Sequence, residues 1–166
     1  MVNTKLSYAV KFTITSIIIG SILGLVGASA AHYFRVGIVL ISDGFSQIIS
    51  TSYGFFYYVF TLTVAALIVH QVKKLNTGKP FQGIADSIFY AHRPDNEADI
   101  KSGILSTLAA FISAGGGASV GQYGPLVHFG STIGSWLKEK LPFQLSLDLC
   151  IGGGVAAAIS SGFGAP

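Results

Sequence analysis

A chain of 166 residues with 51% hydrophobic and only 10% charged residues is unlike a soluble domain, in which about a quarter of the residues are charged. The net charge of +3 is small and the basic residues are scattered, which excludes the clustered basic surface of a nucleic-acid-binding protein. Cys150 is the single cysteine, so it forms no intrachain disulfide, and we interpret it as a small buried hydrophobe. The composition predicts a protein embedded in a lipid bilayer.

The first predicted element is an apolar helix over residues 8–34. It is long enough to cross a membrane, because about 20 apolar residues span the hydrocarbon core. Gly20, Gly24 and Gly27 give it a small-residue face on which another helix could pack closely. Residues 28–30 (Ala-Ser-Ala) are similar to a signal-peptidase site, but the length of the apolar run favours a retained span over a cleaved signal.

A polar break is expected after this first span, at Arg35, Asp43 and Gly44. The second predicted span covers residues 53–72, with aromatic residues near its start and lysines just after its end, as is typical of interfacial anchors. Lysines also precede the first span, whereas Arg35 is the only basic residue between the two spans. The positive-inside bias therefore predicts a multi-pass membrane protein with a cytoplasmic N-terminus.

The rest of the chain alternates short and medium apolar helices with polar turns. Short helices that end inside a membrane are tolerated only where their ends face protein or line a cavity, as in transporter binding sites. The predicted elements are a turn over 76–80, a short helix over 81–92, a polar loop over 93–97, an apolar helix over 100–114, a second short helix over 126–137 and a Gly/Ala-rich apolar segment over 145–166.

The glycine-rich segment, residues 115–125, has the sequence G-G-G-A-S-V-G-Q-Y-G-P and leads into the second short helix. Free backbone N–H groups and the positive end of a helix dipole at such a turn suit an anion. Nucleotide binding is not expected: the glycine spacing departs from G-x-G-x-x-G, no Lys-Ser or Lys-Thr pair follows, and an apolar helix precedes the glycines where a strand is required.

Two motifs resemble those of the CLC chloride channel and transporter family. The first is a glycine cluster that leads to Gly-basic-Glu-Gly-Pro, then to Val-x-x-Gly and a further Gly. The second is a small-residue helix that ends in Phe-Asn-Ala-Pro, which residues 154–166 resemble. The residues at the spacing of the first motif are Gly115, Gly116, Gly117, Gly121, Gly124, Pro125, Val127, Gly130 and Gly134.

The resemblance implies an all-α, polytopic membrane fold with broken and short re-entrant helices. Residues 1–166 would be a partial transmembrane domain, the first of the family's two inverted repeats. A longer protein or a partner chain would then supply the second repeat. The resemblance further implies a lipid-embedded homodimer that transports chloride or another small anion, without a cofactor and without enzymatic activity.

In the family, backbone amides at helix N-termini hold the anion. Here these amides would belong to Gln122, Tyr123 and Gly124, within the segment from Gly121 to Pro125. The family's basic residue before the gate is Gln122 in this sequence, and its gating glutamate is Tyr123. A phenol is neutral at pH 7, so Tyr123 at the gate position predicts passive permeation, or a pore plugged by the ring, in place of proton-coupled exchange.

The family's inner motif, G-S-G-I-P, is expected near Gly78. Its anion-facing serine would align with Lys79, or with Thr77 if the alignment shifts by two residues. A lysine there would bind anions more tightly, but a cytoplasmic interfacial lysine is the favoured interpretation. Because both the gate and this serine differ, a non-conducting membrane subunit that keeps only the scaffold is the alternative function.

The remaining candidate side chains are given structural roles. His128 occupies a position that is often histidine in the family, and we interpret it as packed and hydrogen-bonded. For Asp86 and Asp148, helix capping or a place at the membrane edge is favoured over a proton relay. No nucleophile–base pair and no metal-ligand cluster is visible in the sequence.

Overall fold

The structure, a computed structural model, describes residues 2–49, 54–77, 80–93, 98–121, 123–141 and 145–164. The predicted all-helical class is confirmed for this part of the chain. Its helices are α1 (Val2–Ile49), α2 (Gly54–Leu75), α3 (Ile84–His92), α4 (Ile100–Gly115), α5 (Tyr123–Lys140) and α6 (Leu147–Phe163).

Helix α1 runs without interruption through the polar break that the sequence predicted. Arg35, Asp43 and Gly44 all lie inside it, so that prediction was wrong. Isolated charged residues do not end a helix, a single glycine costs it only about 1 kcal/mol, and α1 contains no proline to remove a backbone donor. In the described part of the chain, α1 and α2 are the two helices that are long and apolar enough to cross a membrane.

The two short helices begin at different residues from those predicted. Helix α5 starts at Tyr123, three residues before the predicted range of 126–137, and continues to Lys140. Pro125 does not prevent this, because a proline in the first helical turn removes an N–H group that has no intrahelical partner. Helix α3 starts later than predicted, at Ile84. The last three residues of the glycine-rich segment, 123–125, therefore form part of α5.

The closest helix pair is α5 and α6, which cross where glycines face each other. A Cβ atom added at Gly130 would overlap the carbonyl group of Gly154, and one added at Gly134 would overlap the carbonyl group of Cys150. The absence of side chains lets the two backbones touch, as small residues do at close helix crossings in membranes. Cys150 itself is only 1% exposed, which confirms that it is buried.

Helix α1 packs on α6 through one of its three predicted small-residue positions. A Cβ atom added at Gly27 would lie 2.8 Å from the Ala157 Cβ atom, whereas one added at Gly20 or Gly24 would have nothing within 4 Å. The close-packing face predicted from the glycine spacing is therefore confirmed at Gly27 and not at the other two glycines.

Gly27→Leu is expected to destabilise the protein, because the new side chain must displace α6. Overpacking of this kind costs roughly 1–3 kcal/mol, which thermal unfolding followed by circular dichroism in detergent would detect. Gly20→Leu is the matched control on the same helix and should leave the unfolding temperature nearly unchanged. Equal shifts for the two variants would contradict the α1–α6 contact.

Candidate functional site

Helices α3, α4 and α5 enclose a cavity of about 300 Å³, called here the α3–α5 cavity. The start of α3 and the start of α5 meet at this cavity. A Cβ atom added at Gly124 would lie 3.8 Å from the Ile84 Cδ1 atom, which is an ordinary contact distance. The lining residues are Gln82, Gly83, Ile84, Ser106, Thr107, Ala110, Gly124, Pro125 and His128.

The N-terminus of α5 gives this cavity its electrostatic character. The first N–H groups of a helix have no intrahelical partner. Because Pro125 carries no N–H, those of Tyr123, Gly124 and Leu126 remain. The first turn of α5 contains no acidic residue. The other short and medium helices differ in this respect: Asp86, Asp99 and Asp148 lie at the starts of α3, α4 and α6, respectively.

At the start of α3, the carboxylate of Asp86 in the same helix accepts a backbone hydrogen bond. The Gly83 N–H group donates to the Asp86 Oδ2 atom at 2.7 Å, which confirms the capping role predicted for Asp86. A carboxylate here offsets the positive end of the α3 dipole. The first turn of α5, which has no carboxylate of its own, is therefore the more favourable place for an anion in the α3–α5 cavity.

Gln82 lies two residues before α3 and lines the cavity. Hydrogen bonds to α4 and to α3 hold it there. Its N–H group donates to the Ser106 Oγ atom at 2.8 Å, and its Nε2 atom donates to the Tyr90 hydroxyl at 3.2 Å. The sequence analysis missed Gln82, Ser106 and Thr107. Hydroxyl residues spaced four apart in a largely apolar helix, here Ser102 and Ser106, indicate a face turned toward protein and could have pointed to Ser106.

A buried network anchors the end of α2 to the start of α4. The Ser102 hydroxyl lies 2.8 Å from the Asn76 Oδ1 atom and 2.9 Å from the Asp99 Oδ2 atom. Both Asn76 and Ser102 are only 1% exposed. Because unsatisfied buried polar groups are costly, these bonds fix the turn that leads toward α3.

His128 lies one turn inside α5 and is 4% exposed. Its Nδ1 atom is 2.9 Å from the Ser87 Oγ atom of α3, which confirms the prediction of a packed, hydrogen-bonded histidine. Its Nε2 atom has no partner within the described ranges. The Ser87 contact ties α3 to α5 beside the cavity.

Comparison with family models gives one match, over residues 61–166, to the family described as voltage gated chloride channel. This range covers well over half of the chain and includes the glycine-rich segment and the whole α3–α5 cavity. The chain belongs to the voltage gated chloride channel family. No curated protein and no solved structure matches it.

Family membership confirms the recognition made from the two motifs and makes the chain a membrane protein of an ion-transport family. Members of this family are channels and transporters and not enzymes. Within the described ranges, no group of three or more His, Cys, Asp or Glu residues is placed to hold a metal ion.

The Tyr123 ring, at the family's gate position, points away from the α3–α5 cavity. It stacks on the Phe163 ring at the end of α6, with the ring centroids 4.3 Å apart and an angle of 3° between the planes. The ring also lies against Gly162: a Cβ atom there would be 3.3 Å from the Tyr123 Cδ1 atom. In this arrangement the phenol does not plug the cavity, and its role as a gate stays a prediction.

Two predicted anion-binding residues, Gln122 and Lys79, lie outside the described residues, as does Gly78. Their roles in the family's channel or transporter site stay predictions. Of the others, Gly124 and Pro125 line the α3–α5 cavity. Gly121 lies two residues before the first residue of α5. Gly121 has a φ of +65°, in the left-handed region that glycine adopts without a Cβ penalty.

Proposed function

We propose that the chain forms part of a pathway for passive movement of chloride or a similar small anion across the membrane. One observation carries this proposal: the first turn of α5, without a carboxylate, opens on a cavity of about 300 Å³. The first-turn amides and the dipole of α5 would stabilise an anion where the surrounding helices exclude much of the water.

The side chains around the cavity favour weak binding. The Ser106 hydroxyl donates to the Ser102 carbonyl at 2.6 Å, and the Thr107 hydroxyl donates to the Gly103 carbonyl at 3.1 Å. Their protons are therefore used within α4, which leaves the amides of α5 as the donors for an anion. Of the described residues that line the cavity, none is Lys or Arg. Dipolar coordination without a full charge lets an ion leave quickly, as conduction requires.

The absence of proton coupling is proposed from the same residues. No Asp or Glu side chain is among the described lining residues, and Tyr123 has a phenol, stacked on Phe163, in place of a carboxylate. His128 is the titratable side chain in the lining, and its Nδ1 atom is engaged by Ser87. The described lining thus offers no carboxylate that could compete with the anion, and Asp86, beside the lining, accepts a hydrogen bond from the Gly83 N–H group.

We further propose that a second repeat, from a further segment or a partner chain, completes the pathway, as the two-repeat construction of the family implies. Assembly as a homodimer and a cytoplasmic N-terminus belong to the same proposal. Lys5 and Lys11 near the start of α1 and Lys73 and Lys74 in the last turn of α2 support this orientation.

Tyr123→Glu is expected to make anion flux depend on pH. A glutamate beside the amides of α5 is charged above its ordinary pKa of about 4.3 and then competes with the anion; below that pKa it is neutral and releases the site. We expect chloride efflux from liposomes at pH 7.5 to fall roughly tenfold and to recover at pH 4. Tyr123→Phe is the matched control and should match the wild type at both values. A glutamate variant that behaves like the phenylalanine variant would count against an anion site at the start of α5.

A further inference from the structure

A second cavity, of about 180 Å³, lies between α1, α5 and α6. It is called here the Arg35 cavity. Its polar lining comes from His32 and Arg35 of α1 and from Ser161 and Gly162 near the end of α6. His32 and Arg35 are three residues apart, so that they share one face of α1. No acidic side chain is among the described residues of this lining.

Arg35 lies in the candidate membrane span Ala9–Gly44. A charged residue in such a helix is costly unless it finds partners, and it therefore indicates a functional group. The Arg35 Nη2 atom donates to the Gly162 carbonyl at 3.3 Å. A guanidinium has five N–H donors in a planar fork, which suits a second, multivalent acceptor.

The distance from Phe12 to Arg35 along α1 is close to the thickness of the hydrocarbon core of a membrane. Arg35 follows Phe12 by 23 residues, which corresponds to about 35 Å along a helix, compared with a hydrocarbon core of about 30 Å. If Phe12 lies at one interface, Arg35 reaches the level of the phosphate groups in the opposite leaflet. The cavity opens beside α1, whose side chains Tyr33 and Val36 are exposed and available to lipid.

We propose that the Arg35 cavity binds a phosphate oxyanion, supplied by the headgroup of a membrane phospholipid. The guanidinium of Arg35 would hold two phosphate oxygens, with His32 and the Ser161 hydroxyl as further donors. Arg–phosphate pairs of this kind are charge-assisted and often bidentate. The site differs from the α3–α5 cavity in its chemistry, since it uses a full positive charge where the other uses backbone dipoles. The proposal does not depend on anion transport.

Native mass spectrometry of the intact, delipidated protein in detergent tests this site. The probes are phosphatidylglycerol, diacylglycerol with the same acyl chains and inorganic phosphate. We expect phosphatidylglycerol to bind in preference to diacylglycerol, and Arg35→Gln to reduce its binding roughly tenfold. Arg35→Lys should restore part of the binding. Lys11→Gln is the matched control, because it removes a cation from an exposed position on the same helix.

The outcomes separate the sources of the phosphate. Competition by millimolar inorganic phosphate that depends on Arg35 would support the oxyanion site and show that free phosphate can fill it. Equal binding of the two lipids, or unchanged binding by Arg35→Gln, would overturn the proposal. If a thermal melt shows that the Arg35→Gln protein is not folded at the start, His32→Gln is used as the test variant in its place. This variant should weaken phosphatidylglycerol binding and leave diacylglycerol binding unchanged; failure to do so would equally overturn it.

Discussion

Gly154→Leu is expected to prevent α5 and α6 from packing and to remove most of the protein's stability. Gly130 and Gly154 face each other so closely that a Cβ atom added to either would overlap the carbonyl group of the other. Because the obstacle is backbone, no change of rotamer relieves it, and the helices must separate. We expect a loss of roughly 3–5 kcal/mol, at the upper end of single-residue effects.

Gly152→Leu provides the matched control for this prediction. It introduces the same side chain two residues earlier on α6, where a Cβ atom would have nothing within 4 Å. Both variants gain the same helix propensity, so a difference between them reports the crossing alone. Thermal melts and gel filtration in detergent measure the effect. Comparable stability of the two leucine variants would show that α5 and α6 do not cross at these glycines.

Ala110→Trp is expected to abolish anion flux without unfolding the protein. Ala110 lies on α4 and lines the α3–α5 cavity, so that a large side chain there would occupy the space in front of the α5 amides. Chloride efflux from liposomes should fall to the level of protein-free vesicles. The cavity has room for the ring, since its volume is about 300 Å³, and we therefore expect the unfolding temperature to change little.

Leu108→Trp is the control for bulk on the same helix. Leu108 is 42% exposed and does not line the cavity, so this variant should conduct like the wild type. A folded Ala110→Trp protein with normal efflux would exclude the α3–α5 cavity from the anion pathway. Loss of efflux in both variants would instead indicate general damage to α4.

The sequence was sufficient to predict the family and to single out the glycine-rich segment that leads into α5. Both predictions rest on local sequence, because the glycines, Pro125 and the lack of acidic residues all concern a few neighbouring positions. The ends of α1 could not be predicted in the same way. The predicted polar break rested on isolated polar residues, and Arg35 is accommodated in the helix by a bond to Gly162, 127 residues further along the chain.

The details of the site depend on contacts between distant residues. The Ser87–His128 contact joins residues 41 apart, and the bond from the Gln82 N–H group to Ser106 joins residues 24 apart. No local sequence pattern indicates either of these two contacts. The direction of the Tyr123 ring likewise depends on Phe163, which a motif alignment does not place. Motif spacing thus points to a candidate backbone segment, whereas tertiary packing decides which side chains line the cavity beside it.

Simultaneous recording of chloride and proton movement tests the central claim most directly. The intact protein would be reconstituted into liposomes with a chloride gradient, with valinomycin to balance charge and external pH monitored during efflux. Passive permeation predicts chloride efflux that requires potassium to leave the liposomes in the same direction through valinomycin and that carries no stoichiometric proton flux. Proton movement in fixed ratio to chloride would contradict passive permeation, and a folded protein without any efflux would contradict an anion pathway.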